Sequence, residues 1–189
     1  FRLGSNSKKT TSRTTIASNS HHLASQDNKP LRLNEISGTE APRINMNDGE
    51  LNRVLGGGLV RGSITLLGGE PGIGKSTLTM QTLLSLSHLK VLYVSGEESA
   101  YQLKMRAERL SKGLKDTSID HDNLIILCET SLETIFEQII DIQPELIIID
   151  SIQTISTEQV ESSPGSITQV RECSSQLLRF AKTTNTPVL

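Results

Sequence analysis

The sequence is poor in cysteine, in long apolar runs and in excess charge of one sign. Its two cysteines, Cys128 and Cys173, lie far apart and outside any C-x-x-C pair, so no disulfide framework or zinc site is predicted, and a reducing compartment is favoured. No run approaches the roughly 18 apolar residues of a membrane-spanning helix, and the N-terminus lacks the apolar core of a signal peptide. These absences predict a cytoplasmic protein without membrane contact.

The formal net charge of −2 is also small. It provides no overall electrostatic attraction for nucleic acid. DNA binding would therefore need a local patch or the contribution of other subunits.

Two regions of different composition divide the 189 residues. Residues 1–30 are dominated by Ser, Thr, Asn and charge, which bury too little apolar surface to offset the entropy of ordering, so a flexible linker is predicted. Residues 31–189 mix apolar anchors with turn formers and suit a single core. The chain starts with Phe1, and "NTPVL" at its end is typical of an apolar strand just beginning. We therefore expect a piece of a longer protein.

Strand and helix patterns alternate through residues 31–189. Continuous apolar runs predict strands, and 3.6-residue periodicity predicts helices. The expected strands are 63–67, 91–95, 124–128 and 146–150, and the expected helices are 75–88, 100–110, 132–142 and 168–183. The run "LIIID" is apolar on both faces, as in a parallel sheet that helices cover on both sides. The predicted fold class is α/β, three-layered, with a mostly parallel central sheet.

A glycine-rich loop lies between the first expected strand and the first expected helix. Residues 69–76, "GEPGIGKS", satisfy G-x-x-x-x-G-K-[ST] in full. Glycines let backbone N–H groups turn toward an anion, and the helix N-terminus adds partial positive charge. Lys75 is predicted to reach the β and γ phosphates and to act in catalysis, and Ser76 to offer its hydroxyl to Mg²⁺. The predicted ATP-binding residues are Gly69, Glu70, Pro71, Gly72, Ile73, Gly74, Lys75, Ser76 and Thr77.

A carboxylate for the metal is predicted at the end of "LIIID". Asp150 follows four apolar residues, where an ionised carboxylate is costly without a charged partner. A Mg²⁺ ion shared with Ser76 would be that partner. The alternative is an Asp that only ends the strand and caps the next turn.

The residue that activates the attacking water is predicted on another strand. Many P-loop enzymes carry a Glu directly after the metal-binding Asp, but Ser151 occupies that place. The stretch "VLYVSGEES" puts Glu97 and Glu98 after the expected strand 91–95, which follows the expected helix 75–88, and the carboxyl ends of parallel strands lie at one edge of a sheet. Glu97 is the predicted base. Glu98 is the alternative base or a helix-starting residue that favours the dipole, and a structural role for both also remains open.

Together these residues resemble the bacterial RadA (Sms) DNA-repair ATPase family, a RecA-like group related to the DnaB helicases. The stretches "ELNRVLGGGLVRGSITLLGGEPGIGKSTL", "LYVSGEES", "LIIIDSIQT" and "PGSITQVRECSSQLLRFAK" carry the resemblance, in order and at suitable spacing. A Glu after the neighbouring strand is the RecA-like arrangement, whereas AAA+ and ABC ATPases usually place an acid beside the metal-binding Asp. The resemblance extends from Leu33 to the end.

The resemblance implies an ATPase that uses Mg²⁺ and couples hydrolysis to branch migration of recombination intermediates in homologous recombination and repair. It implies single-stranded or branched DNA and a recombinase as partners, and a hexameric ring. The family's four-cysteine zinc finger, its K-N-R-F-G motif and its Lon-protease-like domain are not in this sequence. Residues 1–30 would be the linker after a missing zinc finger, zinc is expected only in that upstream segment, and ring assembly is expected of the parent protein.

DNA contacts are placed by the same resemblance after Asp150. By residue type alone, the polar stretch that follows favours a mobile surface connection, because it has one basic residue and no aromatic side chain for stacking. The resemblance instead implies DNA contact through Ser166, Gln169 and Arg171. It also suggests that Gln153 and Thr154 sense the γ-phosphate.

Two other function classes remain open at this point. A nucleotide-dependent switch would use ATP to organise a protein assembly without moving DNA. A small-molecule kinase would transfer phosphate to a metabolite, although no Arg-rich lid segment is evident.

Overall fold

The computed structural model describes residues 30, 32–35, 42–113 and 122–189. The linker predicted at residues 1–30 therefore lies almost wholly outside the described residues and stays a prediction. The chain divides into two units, residues 1–37 and 38–189. The first contains a 3-10 turn at Leu33–Glu35, and the second contains the sheet and the α-helices.

Strands and helices alternate along the described part of the second unit, as predicted. They are β1 (Arg43–Ile44), α1 (Gly49–Val54), β2 (Leu59–Val60), α2 (Lys75–Leu84), β3 (Val91–Ser95), α3 (Ala100–Ser111), β4 (Leu124–Cys128), α4 (Leu132–Ile142), β5 (Leu146–Asp150) and α5 (Ile167–Thr184). Strands β1 and β2 pair antiparallel. Strand β3 lies between β4 and β5 and is parallel to both.

The strand predicted at residues 63–67 is not formed in full. Ile64 makes an isolated parallel bridge to Val188, which in turn bridges Ile147 of β5. Backbone hydrogen bonds run from Thr65 N to Val188 O and from Val188 N to Ser63 O. The prediction was wrong in extent because, within the described residues, this segment pairs only with the short stretch around Val188. That stretch also hydrogen-bonds to Ile147 and Ile149 of β5, but it forms isolated bridges and not a full strand, so the strand expected to begin in "NTPVL" is formed only in part.

The predicted helix at residues 75–88 ends earlier, at Leu84. The Ser85 hydroxyl donates to the Thr82 carbonyl at 2.6 Å, and such local side-chain bonds compete with helical ones. Leu86 and Leu89 lie in the turns that follow and are buried. Because their spacing in the sequence matches helical periodicity, the predicted helix extended too far, although the helix itself ends at Leu84. The other three predicted helices agree with α3, α4 and α5 to within one residue at each end.

The core is divided by the sheet into two layers. On one face, Tyr93 packs with residues of α2 and α3 such as Met80 and Leu103. On the other, Leu92 packs with residues of α4 and α5 such as Ile135 and Leu177. Alternate residues of β3 thus point to opposite faces of the sheet. Helices pack on both faces, so the predicted three-layered α/β fold is confirmed. None of the described helices has the length and apolar character needed to cross a membrane.

Candidate nucleotide site

The glycine-rich loop wraps the side chain of its own lysine. The Lys75 ammonium donates to the carbonyl oxygens of Gly69 and Glu70, at 2.7 and 2.8 Å. Gly72 and Gly74 adopt φ values of 79° and 102°, a region that glycine enters without steric cost. The loop therefore carries a positive charge held by exposed carbonyl groups, which an incoming phosphate can replace as its partner.

The N-terminus of α2 differs from the other α-helices that the structure describes. Its N-cap residue, Gly74, provides no side-chain acceptor. The N-termini of α1, α3, α4 and α5 each receive a side-chain cap, from Asp48, Ser99, Ser131 and Ser166. The first N–H groups of a helix need an outside acceptor, and an anion such as phosphate is a suitable one. This end of α2 fits a nucleotide phosphate.

The two predicted magnesium ligands lie on different elements. Ser76 lies in the first turn of α2, and Asp150 ends β5, and both are partly buried. A hydroxyl and a carboxylate are hard oxygen ligands, and Mg²⁺ commonly binds through one or two such groups together with substrate phosphates. Within residues 42–113 and 122–189, no group of three or more His, Cys, Asp or Glu side chains is arranged for a metal ion. The oxygen donors present nevertheless fit Mg²⁺, which does not need such a cluster.

Asp150 has a buried partner that sequence reasoning missed. The Tyr93 hydroxyl donates to Oδ2 of Asp150 at 2.5 Å, and Tyr93 is fully buried. Burial, followed by the hydrogen bond and the charge of Asp150, raises the pKa of Tyr93 well above its usual value. The hydroxyl therefore stays protonated as a donor. The available signal was a tyrosine between the aliphatic residues of "VLYVS".

The two adjacent glutamates take different partners. Oε1 of Glu98 lies 2.6 Å from Nη1 of Arg106 on α3, in a partly buried ion pair. Glu97 is exposed, and its Oε1 accepts a hydrogen bond of 2.9 Å from the Ser151 hydroxyl. The structure therefore brings Glu97 to the end of β5, whereas Glu98 is paired with Arg106 of α3.

A close approach of the backbone sets this arrangement. Gly96 N–H donates to the Asp150 carbonyl at 3.1 Å, which ties the end of β3 to the end of β5. A Cβ atom on Gly96 would lie 2.0 Å from Oγ1 of Thr154, so only glycine fits there. The Thr154 hydroxyl donates to the Ser151 carbonyl at 2.7 Å and thereby holds the turn, while Gln153, the other expected phosphate sensor, is exposed.

The three residues expected to contact DNA lie at the start of α5 but differ in access. Ser166 caps the helix, and Arg171 is exposed. Gln169 is only 2% exposed. Its Oε1 accepts from Thr157 N–H, and its amide nitrogen lies 3.0–3.1 Å from the carbonyl oxygens of Thr157, Val160 and Ser162. Because an amide has only two N–H donors and one carbonyl, Gln169 is used in full to anchor the loop, and the structure does not offer it to DNA.

A family model and several curated proteins match most of this chain. The sequence profile of a family described as an AAA domain matches residues 28–189. The chain is 50% identical to the DNA repair protein RadA of Pseudomonas aeruginosa over 157 residues, which are 82% of this chain and 33% of that protein. It is 45% identical to RadA of Bacillus subtilis over 169 residues, 88% and 35% of the two chains. It is 50% identical to RadA of Escherichia coli over 156 residues, 82% and 32%. The chain thus spans about a third of the length of these curated relatives.

Proposed function

We propose that this protein is a DNA-dependent ATPase that acts in recombination and repair. The chain belongs to the AAA domain family and, within it, to the RadA DNA-repair ATPases. The finer part of the proposal is that ATP hydrolysis drives branch migration of recombination intermediates. The main structural support is the loop in which Lys75 is held by two carbonyl groups in front of an uncapped helix N-terminus.

In the proposed mechanism, residues 69–77 hold the phosphates of ATP, and Lys75 exchanges its loop carbonyls for phosphate oxygens. Ser76 and Asp150 would hold Mg²⁺, which supplies charge neutralisation on the phosphates. The remaining requirement is a group that accepts a proton from the attacking water.

Glu97 is the proposed base. Its carboxylate is exposed, so water can reach it, and it is held by Ser151 at the strand end that also carries Asp150. Glu98 is a weaker candidate because the positive charge of Arg106 competes for its carboxylate. A base that is already oriented loses less freedom when substrate binds.

The proposed DNA contact uses Arg171 and the backbone of the loop before α5, with Ser166 at the helix start. Gln169 shapes this loop from inside. As further proposals drawn from the family, the full-length protein forms a hexameric ring in the cytoplasm and works with a recombinase. Gln153 is exposed after β5 and is retained as a proposed sensor of the γ-phosphate.

The test is ATP hydrolysis by the full-length protein with and without single-stranded DNA, over a range of salt concentrations. We expect DNA to stimulate hydrolysis and the stimulation to weaken as salt rises, because phosphate contacts release counterions. Hydrolysis that no DNA stimulates at any salt would favour the nucleotide-dependent switch. Consumption of ATP only in the presence of a metabolite would favour a kinase.

A further inference from the structure

Tyr93 and Asp150 are placed on one face of the sheet by the strand register. Tyr93 pairs with Ile148 of β5, and Asp150, two residues further along, pairs with Ser95. Residues two apart on a strand point to the same face, and a diagonal neighbour is within reach of an aromatic side chain. The contact between the Tyr93 hydroxyl and Oδ2 of Asp150, 2.5 Å long, is thus a product of the register.

Packing alone does not account for the Tyr93 hydroxyl. Its ring lies fully buried in the cluster that includes Met80, Leu103 and Ile148. A phenylalanine would fill the same space, whereas a buried hydroxyl is costly unless it has a partner. Asp150 is that partner. The hydroxyl is therefore explained by its hydrogen bond to Asp150, the carboxylate at the proposed magnesium site.

We propose that Tyr93 is a positioning residue for magnesium: its hydroxyl fixes one oxygen of Asp150 and leaves the other, Oδ1, for the ion or for a water bound to it. The inference rests on the proposed function in one respect, the assignment of Asp150 to Mg²⁺. A carboxylate held by a rigid buried donor cannot rotate freely. Groups that orient a metal ligand in this way strengthen metal binding without touching the metal.

The experiment measures binding of fluorescently labelled ADP to the full chain, first in EDTA and then at rising Mg²⁺ concentration. Tyr93→Phe keeps the ring and removes only the hydroxyl. We expect it to leave nucleotide affinity in EDTA within about twofold and to raise the Mg²⁺ concentration for half-maximal effect on the order of tenfold. The matched control is Tyr101→Phe, since Tyr101 is the other tyrosine and is 71% exposed. It should leave both quantities unchanged.

Two further variants separate this inference from the site assignment. Asp150→Asn should abolish most of the Mg²⁺ effect, and adding Tyr93→Phe to it should cause no further loss, because both changes act through one contact. If Asp150→Asn leaves the Mg²⁺ effect intact, the proposed metal site is wrong. If Asp150→Asn removes the effect but Tyr93→Phe does not, only the role of Tyr93 is overturned. Equal losses in EDTA and in Mg²⁺ for Tyr93→Phe would also overturn it, because they indicate a general structural defect.

Discussion

Ser151 and Glu97 meet across the carboxyl edge of the sheet, where the Ser151 hydroxyl donates a 2.9 Å hydrogen bond to Oε1 of Glu97. They stand 54 positions apart in the sequence, at the ends of two neighbouring parallel strands. Ser151 occupies the place where many ATPases with this loop motif carry a glutamate directly after the metal-binding Asp. In this chain it holds a glutamate supplied by the adjacent strand.

Replacing Glu97 tests the proposed base. Glu97→Gln keeps the size of the side chain and its bond to Ser151 but cannot accept a proton, so we expect kcat to fall by at least about 100-fold while ATP still binds. Single-turnover hydrolysis and nucleotide binding measure the two quantities separately.

The matched control is Glu98→Gln. It weakens the ion pair with Arg106, so a lower midpoint of thermal unfolding is expected with hydrolysis largely kept. Normal hydrolysis by Glu97→Gln together with loss in Glu98→Gln would transfer the role of base to Glu98.

Lys75→Ala removes the ammonium that the loop holds. The loss of a charge-assisted contact to phosphate should weaken ATP binding by about 1.5–3 kcal/mol, as measured by isothermal titration calorimetry. Lys104→Ala is the control, because Lys104 is 73% exposed and only 3.9 Å from Glu108 in a surface pair. ATP affinity that is unchanged by Lys75→Ala would show that the loop does not bind phosphate through this residue.

Gln169→Leu should detach the loop between β5 and α5 from the core. The variant leaves three carbonyl groups and one N–H without their amide partner, so we expect a loss of about 1–3 kcal/mol in the free energy of unfolding. Limited proteolysis should cut the loop near residues 157–162 faster than in the parent chain. An unchanged cleavage rate would contradict the anchoring role.

Arg171→Ala tests an exposed residue of the same helix, for which we expect an effect on DNA binding and almost none on stability. Arg171 is exposed, so the stability should stay within about 0.5 kcal/mol. If Arg171 contacts a phosphate group of DNA, the variant should bind all sequences more weakly, and the slope of log affinity against log salt should fall by about 1. DNA affinity and salt slope equal to those of the parent protein would remove Arg171 from the interface.

The two cysteines should differ sharply in thiol reactivity. Cys173 is fully buried; burial, with smaller effects from the charges of Glu133 and Glu172, raises its pKa to about 11. Cys128 is exposed. A maleimide or disulfide reagent at pH 8 should therefore label Cys128 quickly and Cys173 only after unfolding, since the thiolate is the nucleophile.

The same pKa shift affects stability. The folded state holds the Cys173 proton more tightly than the unfolded state, so this contribution is fully present below the ordinary thiol pKa and is lost as the pH rises through about 11. Cys173→Ala should lessen the fall in the unfolding midpoint between pH 9 and about 11. An identical decline in both proteins would contradict this coupling.

Local patterns in the sequence predicted most of the fold and the phosphate loop. The G-x-x-x-x-G-K-[ST] motif, the apolar strand before Asp150 and the periodicity of α4 are encoded within a few consecutive residues, and the described elements agree with them. The predicted element bounds were wrong where one local pattern is compatible with two backbone structures. Leu86 and Leu89 keep a helical spacing in a turn, and the apolar run at 63–67 finds only a short pairing partner.

By itself, the sequence determined a parallel α/β domain with a nucleotide-binding loop motif, and it gave two adjacent glutamates as candidates for the proposed base. Only the tertiary structure decided how these two differ, because Arg106 and Ser151 reach them from other elements. It also joined Tyr93 to Asp150 and buried Gln169 beneath its loop. Such contacts depend on strand register and on the packing of distant segments, which no stretch of consecutive residues records.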